Sequence, residues 1–400
     1  MNGLEVEQPM VLAVAGVSFG WGSAGKIASV LEALRRLCPV PPRVVGLSTD
    51  LGRPLLAGSG IDRWYEVKGA DAEAVAEIVR SEGIQLGLCV LDGPTAKSLE
   101  AAGVPAVFVD SLPFLWTDGD LAWLPLEAAA YCAQRSPQLR AESRAVVESA
   151  RNLRWVAAVV PPTDPGPGAP ESRTPGRPRR ALVSLGGMQA PGLPDWRTYP
   201  RAVIPPVLRA LADCEARSVR VAGNLTPELS DELAEQAPRG LDVEFGPLVH
   251  ADFVGALNQC DLLLTSPGLT TLLEAGARGT PTVTLPPQNV SQIFNARFHE
   301  EATGSGTRVR WPDHVFVEEA VIEARRKGET AAHEVVHGGL AEASRHPVPL
   351  HAELRARVVT AVRAAADTDA DWKGLATRMG VDGATQVAKE ILALAAAPSA

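Results

Sequence analysis

Ser266, Gly268, Thr270 and Glu274 are the residues of this 400-residue chain whose types and spacing most readily do chemistry. They follow an apolar run, LLLT (262–265), and lead into a helical pattern, so strand should turn into helix at Ser266-Pro267-Gly268. Ser266 suits an N-cap, Pro267 suits a first helical position, and Gly268 leaves backbone N–H groups uncovered. Such a helix start is an anion site, because its unsatisfied amides and its dipole both favour negative charge, a diphosphate included. At i, i+4 and i+8, Ser266, Thr270 and Glu274 share one face, and a carboxylate two turns beyond the anion could accept from both hydroxyls of a ribose. A glutamate alone on a helix is more often solvated or salt-bridged; the company of Glu274 gives it the binding role.

A second stretch, Gly20-Trp-Gly22-Ser-Ala-Gly25-Lys26, fits both the dinucleotide pattern G-x-G-x-x-G and most of a P-loop. The P-loop needs a Ser or Thr after the lysine to hold Mg²⁺, and Ile27 stands there instead. In the dinucleotide reading Asp50 would close the next strand as a ribose ligand, although any first strand–helix turn needs small residues for packing. His333-Glu334-Val-Val-His337 fits H-E-x-x-H, yet no third zinc ligand stands at metzincin spacing, and Asp118-x-Asp120 reads as a loop. No metal site is expected.

The first group belongs to a longer pattern: Ser266-x-Gly268-x-Thr270, a helix bearing Glu274, Gly279-x-Pro281, a strand ending at Pro286, then Gln292 and Asn295-Ala296. This pattern resembles the GT-B glycosyltransferases, most closely the UDP-sugar-dependent branch that includes the peptidoglycan N-acetylglucosaminyltransferase. The resemblance implies an α/β fold of two Rossmann-like, doubly wound parallel-sheet domains facing a cleft. It implies that Glu274 holds the ribose, that Ser266, Gly268 and Thr270 bind the diphosphate, and that Gln292 reaches the donor sugar. By the same resemblance Gly186 and Gly187 approach the donor phosphates and the backbone near Val249 or His250 reads the nucleobase edge. Asn224, at a strand end, would face the same crevice.

In the first domain the resemblance puts Gly20 and Gly22 on the acceptor side, with Ser23 where the relatives often carry a histidine. All seven histidines lie at or beyond His250, so another group must take the acceptor's proton. Asp110 in VFVDSLPFLW is the first candidate and Asp92 in VLDGP the second; either could equally cap the segment that follows. Trp116, with Phe114 and Trp123, could stack on an acceptor ring or simply pack. VDSLPFLW also resembles proteins related to nucleoside-antibiotic glycosylation, which points to a small-molecule acceptor in secondary metabolism. The implied activity is hexosyl transfer from a nucleotide sugar, a UDP-sugar above all, inverting and with no metal or other cofactor required. A sugar-nucleotide epimerase or hydrolase on the same fold is one alternative. A nucleotide-binding homologue that has lost its base is another.

These residues need two sets of parallel strands to position them. Nearly continuous apolar runs at 10–18, 42–49, 86–92, 105–110 and 155–160 alternate with helical patterns at 24–37, 71–83 and 93–103, as in a parallel sheet covered on both faces. The rhythm returns at 181–187, 218–223, 242–247, 261–266 and 280–286. Residues 161–179, rich in Pro and Gly, read as a linker. The expected division is therefore an acceptor domain at 1–160, the linker, a donor domain at 180–375, and a helical segment at 376–400 that packs back on the first domain. Further helix is expected at 354–367 and 383–397, and 305–350 gives no clear pattern.

Composition narrows the function classes. A net charge of −9 with no basic run speaks against a nucleic-acid partner, and five scattered cysteines without a C-x-x-C pair suggest neither a disulfide framework nor a zinc ribbon. The apolar stretch at 10–17 is too short to span a bilayer and follows Glu5 and Glu7, so no transmembrane segment and a cytoplasmic location are expected.

Overall fold

The computed structural model describes residues 9–47, 50–162, 178–189 and 195–397. Most of the expected linker, residues 163–177, and the side chain of Asp50 lie outside the described residues. The chain divides into two compact units: Met1–Ser18, Ser23–Pro162 and Asp382–Ala400 form the first, and Phe19–Gly22 with Thr163–Val381 the second.

The first unit holds a seven-stranded sheet of β1 (Val11–Gly16), β2 (Arg43–Leu47), β3 (Arg63–Tyr65), β4 (Leu86–Val90), β5 (Ala106–Asp110), β6 (Ala130–Gln134) and β7 (Leu153–Val156). Every pairing is parallel and the spatial order is β3-β2-β1-β4-β5-β6-β7, so the winding reverses between β1 and β4. The central strands are buried on both faces, which is why their sequences are apolar throughout rather than alternating. The run expected as a strand at 155–160 ends its ladder at Val156. Beyond it Val159 N–H donates to Gln134 Oε1 and Ala157 N–H to Gln386 Oε1, so these amides are satisfied by side chains instead of a neighbouring strand. Gln386 lies on the helix Gly383–Ala395, which joins this unit through that bond and through Gly383 N–H to Ala158 O.

The second unit holds a five-stranded parallel sheet of β8 (Arg180–Gly186), β9 (Ser218–Gly223), β10 (Asp242–Gly246), β11 (Leu262–Thr265) and β12 (Thr282–Thr284), in the order β10-β9-β8-β11-β12. Here the winding reverses between β8 and β11. In open parallel sheets that is the place where ligands bind, beyond the carboxyl ends of the two strands. Leu182, Ala222, Leu263, Phe253, Leu257 and Ala275 form a core that ties β8, β9 and β11 to the helices His250–Gln259 and Leu269–Arg278.

The unplaced stretch 305–350 contains the helices Glu318–Arg325 and Glu329–Ala343 and the first turn of Pro347–Asp367. No described helix is long and apolar enough to cross a membrane.

Candidate functional site

The segment after β11 makes the expected turn, with one shift. The helix runs Leu269–Arg278 with Gly268, not Ser266, as its N-cap, and Gly268 contributes no side-chain cap bond. A tight bond from Gly268 N–H to Ser266 O, 2.6 Å, delays the first helical residue past Pro267. The first intrahelical bond joins Leu272 N–H to Gly268 O, so by helix geometry the earlier amides find no carbonyl within the helix. The helix start thus lacks a side-chain cap, and Ser266 is released from capping.

Ser266 instead joins a network that the sequence does not announce. Its hydroxyl donates to Gln292 Oε1 at 2.9 Å and accepts from Gln288 Nε2 at 2.6 Å. Gln288 N–H, which can only donate, lies 2.8 Å from the same Gln292 Oε1, and this fixes the orientation of the Gln292 amide. Among the described residues nothing accepts from Gln292 Nε2, so its two N–H donors are uncommitted. Asn289 caps the helix Val290–Thr303 by accepting from Gln292 N–H, and Asn295 Nδ2 donates to Pro267 O, which holds the Ser266–Gly268 turn. Tyr199 Oη donates to Pro286 O and Trp311 Nε1 to Pro287 O, so the segment carrying Gln288 is clamped by two buried aromatics. Burial pushes the Tyr199 phenol upward, which keeps it a donor.

Glu274 is 1% exposed. A carboxylate so deep is costly unless partnered. Its partner is His250, whose Nε2 lies 2.7 Å from Glu274 Oε1. Val249, the N-cap of the helix His250–Gln259, makes no side-chain cap bond, leaving that helix start uncapped as well.

Gly186 ends β8 and Gly187 follows it, the first favoured by its backbone conformation and the second by a close approach. Gly186 has φ +68°, and a Cβ on Gly187 would stand 2.6 Å from Gly20 Cα. Asn224 N–H donates to Gly186 O at the neighbouring strand end. Gly20 N–H donates to Gln189 O and Thr270 Oγ1 donates to Gly22 O at 3.3 Å, so the glycine loop Phe19–Gly22 packs on the turn after β8 and on the helix start after β11. The loop is therefore not an empty phosphate cradle. Lys26, the residue a P-loop would extend toward phosphate, is 1% exposed within the helix Gly22–Leu37.

In the first unit the two candidates for the base, Asp110 and Asp92, and Ser23 are all engaged in hydrogen bonds. Asp110 is completely buried at the end of β5 and accepts from Trp116 Nε1 at 2.7 Å, Tyr131 Oη at 2.9 Å and Leu112 N–H at 3.0 Å. Burial outweighs these three donors and pushes its carboxyl up to about 6. Asp92 is the N-cap of the helix Gly93–Ala101, accepting from Thr95 N–H and Thr95 Oγ1, and burial raises its carboxyl too. Ser23 donates to Val17 O. Trp116 packs against Trp123 with ring centroids 5.7 Å apart.

His333 and His337 lie on the helix Glu329–Ala343 with their rings 5.8 Å apart, His333 Nε2 3.3 Å from Glu329 Oε1 and stacked on Phe19. Burial first, and His333 second, hold His337 down to about 4. Among the described residues no three His, Cys, Asp or Glu side chains gather as a metal site.

No protein-family model matches the sequence, and no curated protein does. Solved structures match along most of the chain. Arabidopsis thaliana UGT89C1 is similar over 97% of this chain and 100% of its own, at 12% identity and a TM-score of 0.51. S. aureus MnaA, in its co-structure with UDP, is similar over 82% of this chain and 91% of its own, at 12% identity and a TM-score of 0.50. The chain has the GT-B fold. Acinetobacter baumannii MurG also matches, at 15% identity over 86% of this chain and 100% of its own, with a TM-score of 0.47. The likeness to UGT89C1 and MnaA shows the GT-B architecture alone and leaves the chemistry to the residues. Of those, sequence reasoning missed Gln288, although Pro286-Pro287-Gln288 immediately after a parallel strand carried the signal.

Proposed function

We propose that this chain transfers a sugar from a nucleotide sugar, a UDP-sugar, to a small-molecule acceptor, with the donor held by the second unit and the acceptor by the first. One observation carries the proposal: a helix start without a side-chain cap, at the switch point of a parallel sheet, stands two turns before a glutamate that is buried and still has an oxygen to offer. The co-structure of S. aureus MnaA with UDP supports the nucleotide's identity.

In this reading the amides after Gly268 take the diphosphate and Glu274 the ribose hydroxyls. Gln292 Nε2 would donate to the donor sugar, and Asn224 with Gly186 and Gly187 would border the phosphates. The acceptor oxygen attacks the anomeric carbon from the face opposite the leaving UDP, and the configuration inverts. As the bond to UDP breaks, negative charge grows on the β-phosphate, and the preorganised helix start stabilises it without a metal. Asp110 is the favoured proton acceptor, since a carboxyl near 6 is matched to a base working close to neutral pH. It would act when a bound acceptor displaces the Trp116 indole from it.

A second reading, nucleotide binding without transfer, is favoured by the commitment of Asp110, Asp92 and Ser23 to existing hydrogen bonds. Thermal shift against nucleoside diphosphates and their sugars tests both, since a ligand bound only by the folded state raises its melting point. Transfer predicts a shift with UDP and turnover of a UDP-sugar when an acceptor is supplied. Binding alone predicts the shift without turnover under any acceptor, and epimerisation predicts conversion of the UDP-sugar with none added.

A further inference from the structure

The buried Glu274–His250 contact sets the geometry of the ribose carboxylate before any ligand arrives. A carboxylate only accepts, so the imidazole must present its N–H at Nε2, and that bond of 2.7 Å occupies Oε1. Among the described residues nothing donates to Oε2. His250 is 8% exposed at the first turn of His250–Gln259, and Glu274 sits in the second turn of Leu269–Arg278. One turn further along, Arg278 fastens the two helices: its Nε donates to Asn258 Oδ1 at 2.8 Å and its Nη1 to Glu274 O at 2.9 Å. The imidazole therefore has little freedom, and the carboxylate it holds has little either.

We infer that His250 is a positioning residue for nucleotide recognition: its side chain locks Glu274 by Oε1 so that Oε2 faces the ribose diol, making the site selective for a ribonucleoside diphosphate over its 2′-deoxy form. The inference rests on the nucleotide-binding reading given above. A carboxylate left to rotate would meet the two hydroxyls in many orientations and discriminate poorly, whereas a fixed one rejects the sugar that lacks a hydroxyl.

The experiment is calorimetric titration of UDP and of 2′-deoxyuridine diphosphate into the full chain, the variants His250→Phe and His250→Gln, and Glu274→Ala. The native chain should favour UDP by about tenfold or more, the range of a hydrogen bond to a charged group. His250→Phe should bring that ratio close to one, and His250→Gln, whose amide N–H can replace Nε2–H, should restore most of it. A ratio unchanged in folded His250→Phe overturns the inference. So does an equal loss in both His250 variants, which would mark the ring as packing only. If His250→Phe does not fold, His250→Asn, whose shorter amide falls short of Oε1, takes its place with the same expectation. Should Glu274→Ala bind both nucleotides as the native chain does, the nucleotide-site reading itself fails, an outcome distinct from the failure of His250 alone.

Discussion

Asp110 makes stability depend on pH with a sign opposite to that of a salt-bridged carboxylate. Its carboxyl stands at about 6 in the folded chain because burial outweighs the donors Trp116, Leu112 and Tyr131. In the unfolded chain it returns to about 3.9. Below pH ~4 both states hold the proton and Asp110 contributes its full share of stability. From there to pH ~6 the unfolded chain releases the proton while the folded chain keeps it, so stability falls as pH rises. Above pH ~6 the loss levels off at about 2 pKa units, or roughly 3 kcal/mol, at 1.36 kcal/mol per unit. Other groups titrate over the same range, so the comparison needs Asp110→Asn, which lacks the ionisation. Urea unfolding of both proteins, followed by tryptophan fluorescence because Trp116 Nε1 bonds directly to Asp110, gives the free energies at pH 4.5 and pH 7. The native chain should lose roughly 2 kcal/mol more than Asp110→Asn over that interval, since part of the total is already gone at pH 4.5. Parallel pH dependences in the two proteins would refute the assignment of a proton held by burial at Asp110.

Three further outcomes follow from the second unit. Gln292→Ala should weaken a UDP-sugar by about 1 kcal/mol more than it weakens UDP, because the uncommitted Nε2 is proposed to face the sugar; equal losses in calorimetry would contradict that placement. Gly187→Ala should destabilise the chain by about 1–3 kcal/mol, since its Cβ would stand 2.6 Å from backbone atoms of Gly20, and an unchanged melting point would show that the loop Phe19–Gly22 packs elsewhere. EDTA should leave UDP affinity unchanged, because the helix start, not a cation, is proposed to hold the diphosphate; a loss restored by Mg²⁺ would count against it.

Much of this was legible in the sequence, and the misses have physical causes. The strands covered on both faces announced themselves as apolar runs, whereas β6, AYCAQ, is fully buried but mixes small and polar residues, and the edge strand β3, RWY, is only three residues long. The helix Glu329–Ala343 was hidden by Gly338-Gly339, poor helix formers in isolation. A side chain at Gly339 would collide with Val315 O, at 1.9 Å, so tertiary packing selects the residue that local propensity disfavours. The cap after β11 moved from Ser266 to Gly268 because Ser266 found partners in Gln288 and Gln292, 22 and 26 residues away, which no local rule sees. The glycine loop matched two phosphate templates because tight packing and phosphate binding demand the same small residues; only its bonds to Gln189 and Thr270 distinguish the two uses.

The central claim is that the buried carboxylate of Glu274 receives the ribose of a nucleoside diphosphate. Isothermal titration of UDP into Glu274→Ala, beside the native chain and with folding checked by melting point, tests it most directly. A loss of about 1–3 kcal/mol, roughly a 5- to 150-fold rise in Kd, is expected from leaving the ribose hydroxyls unpaired. A folded Glu274→Ala protein that binds UDP with native affinity would contradict it.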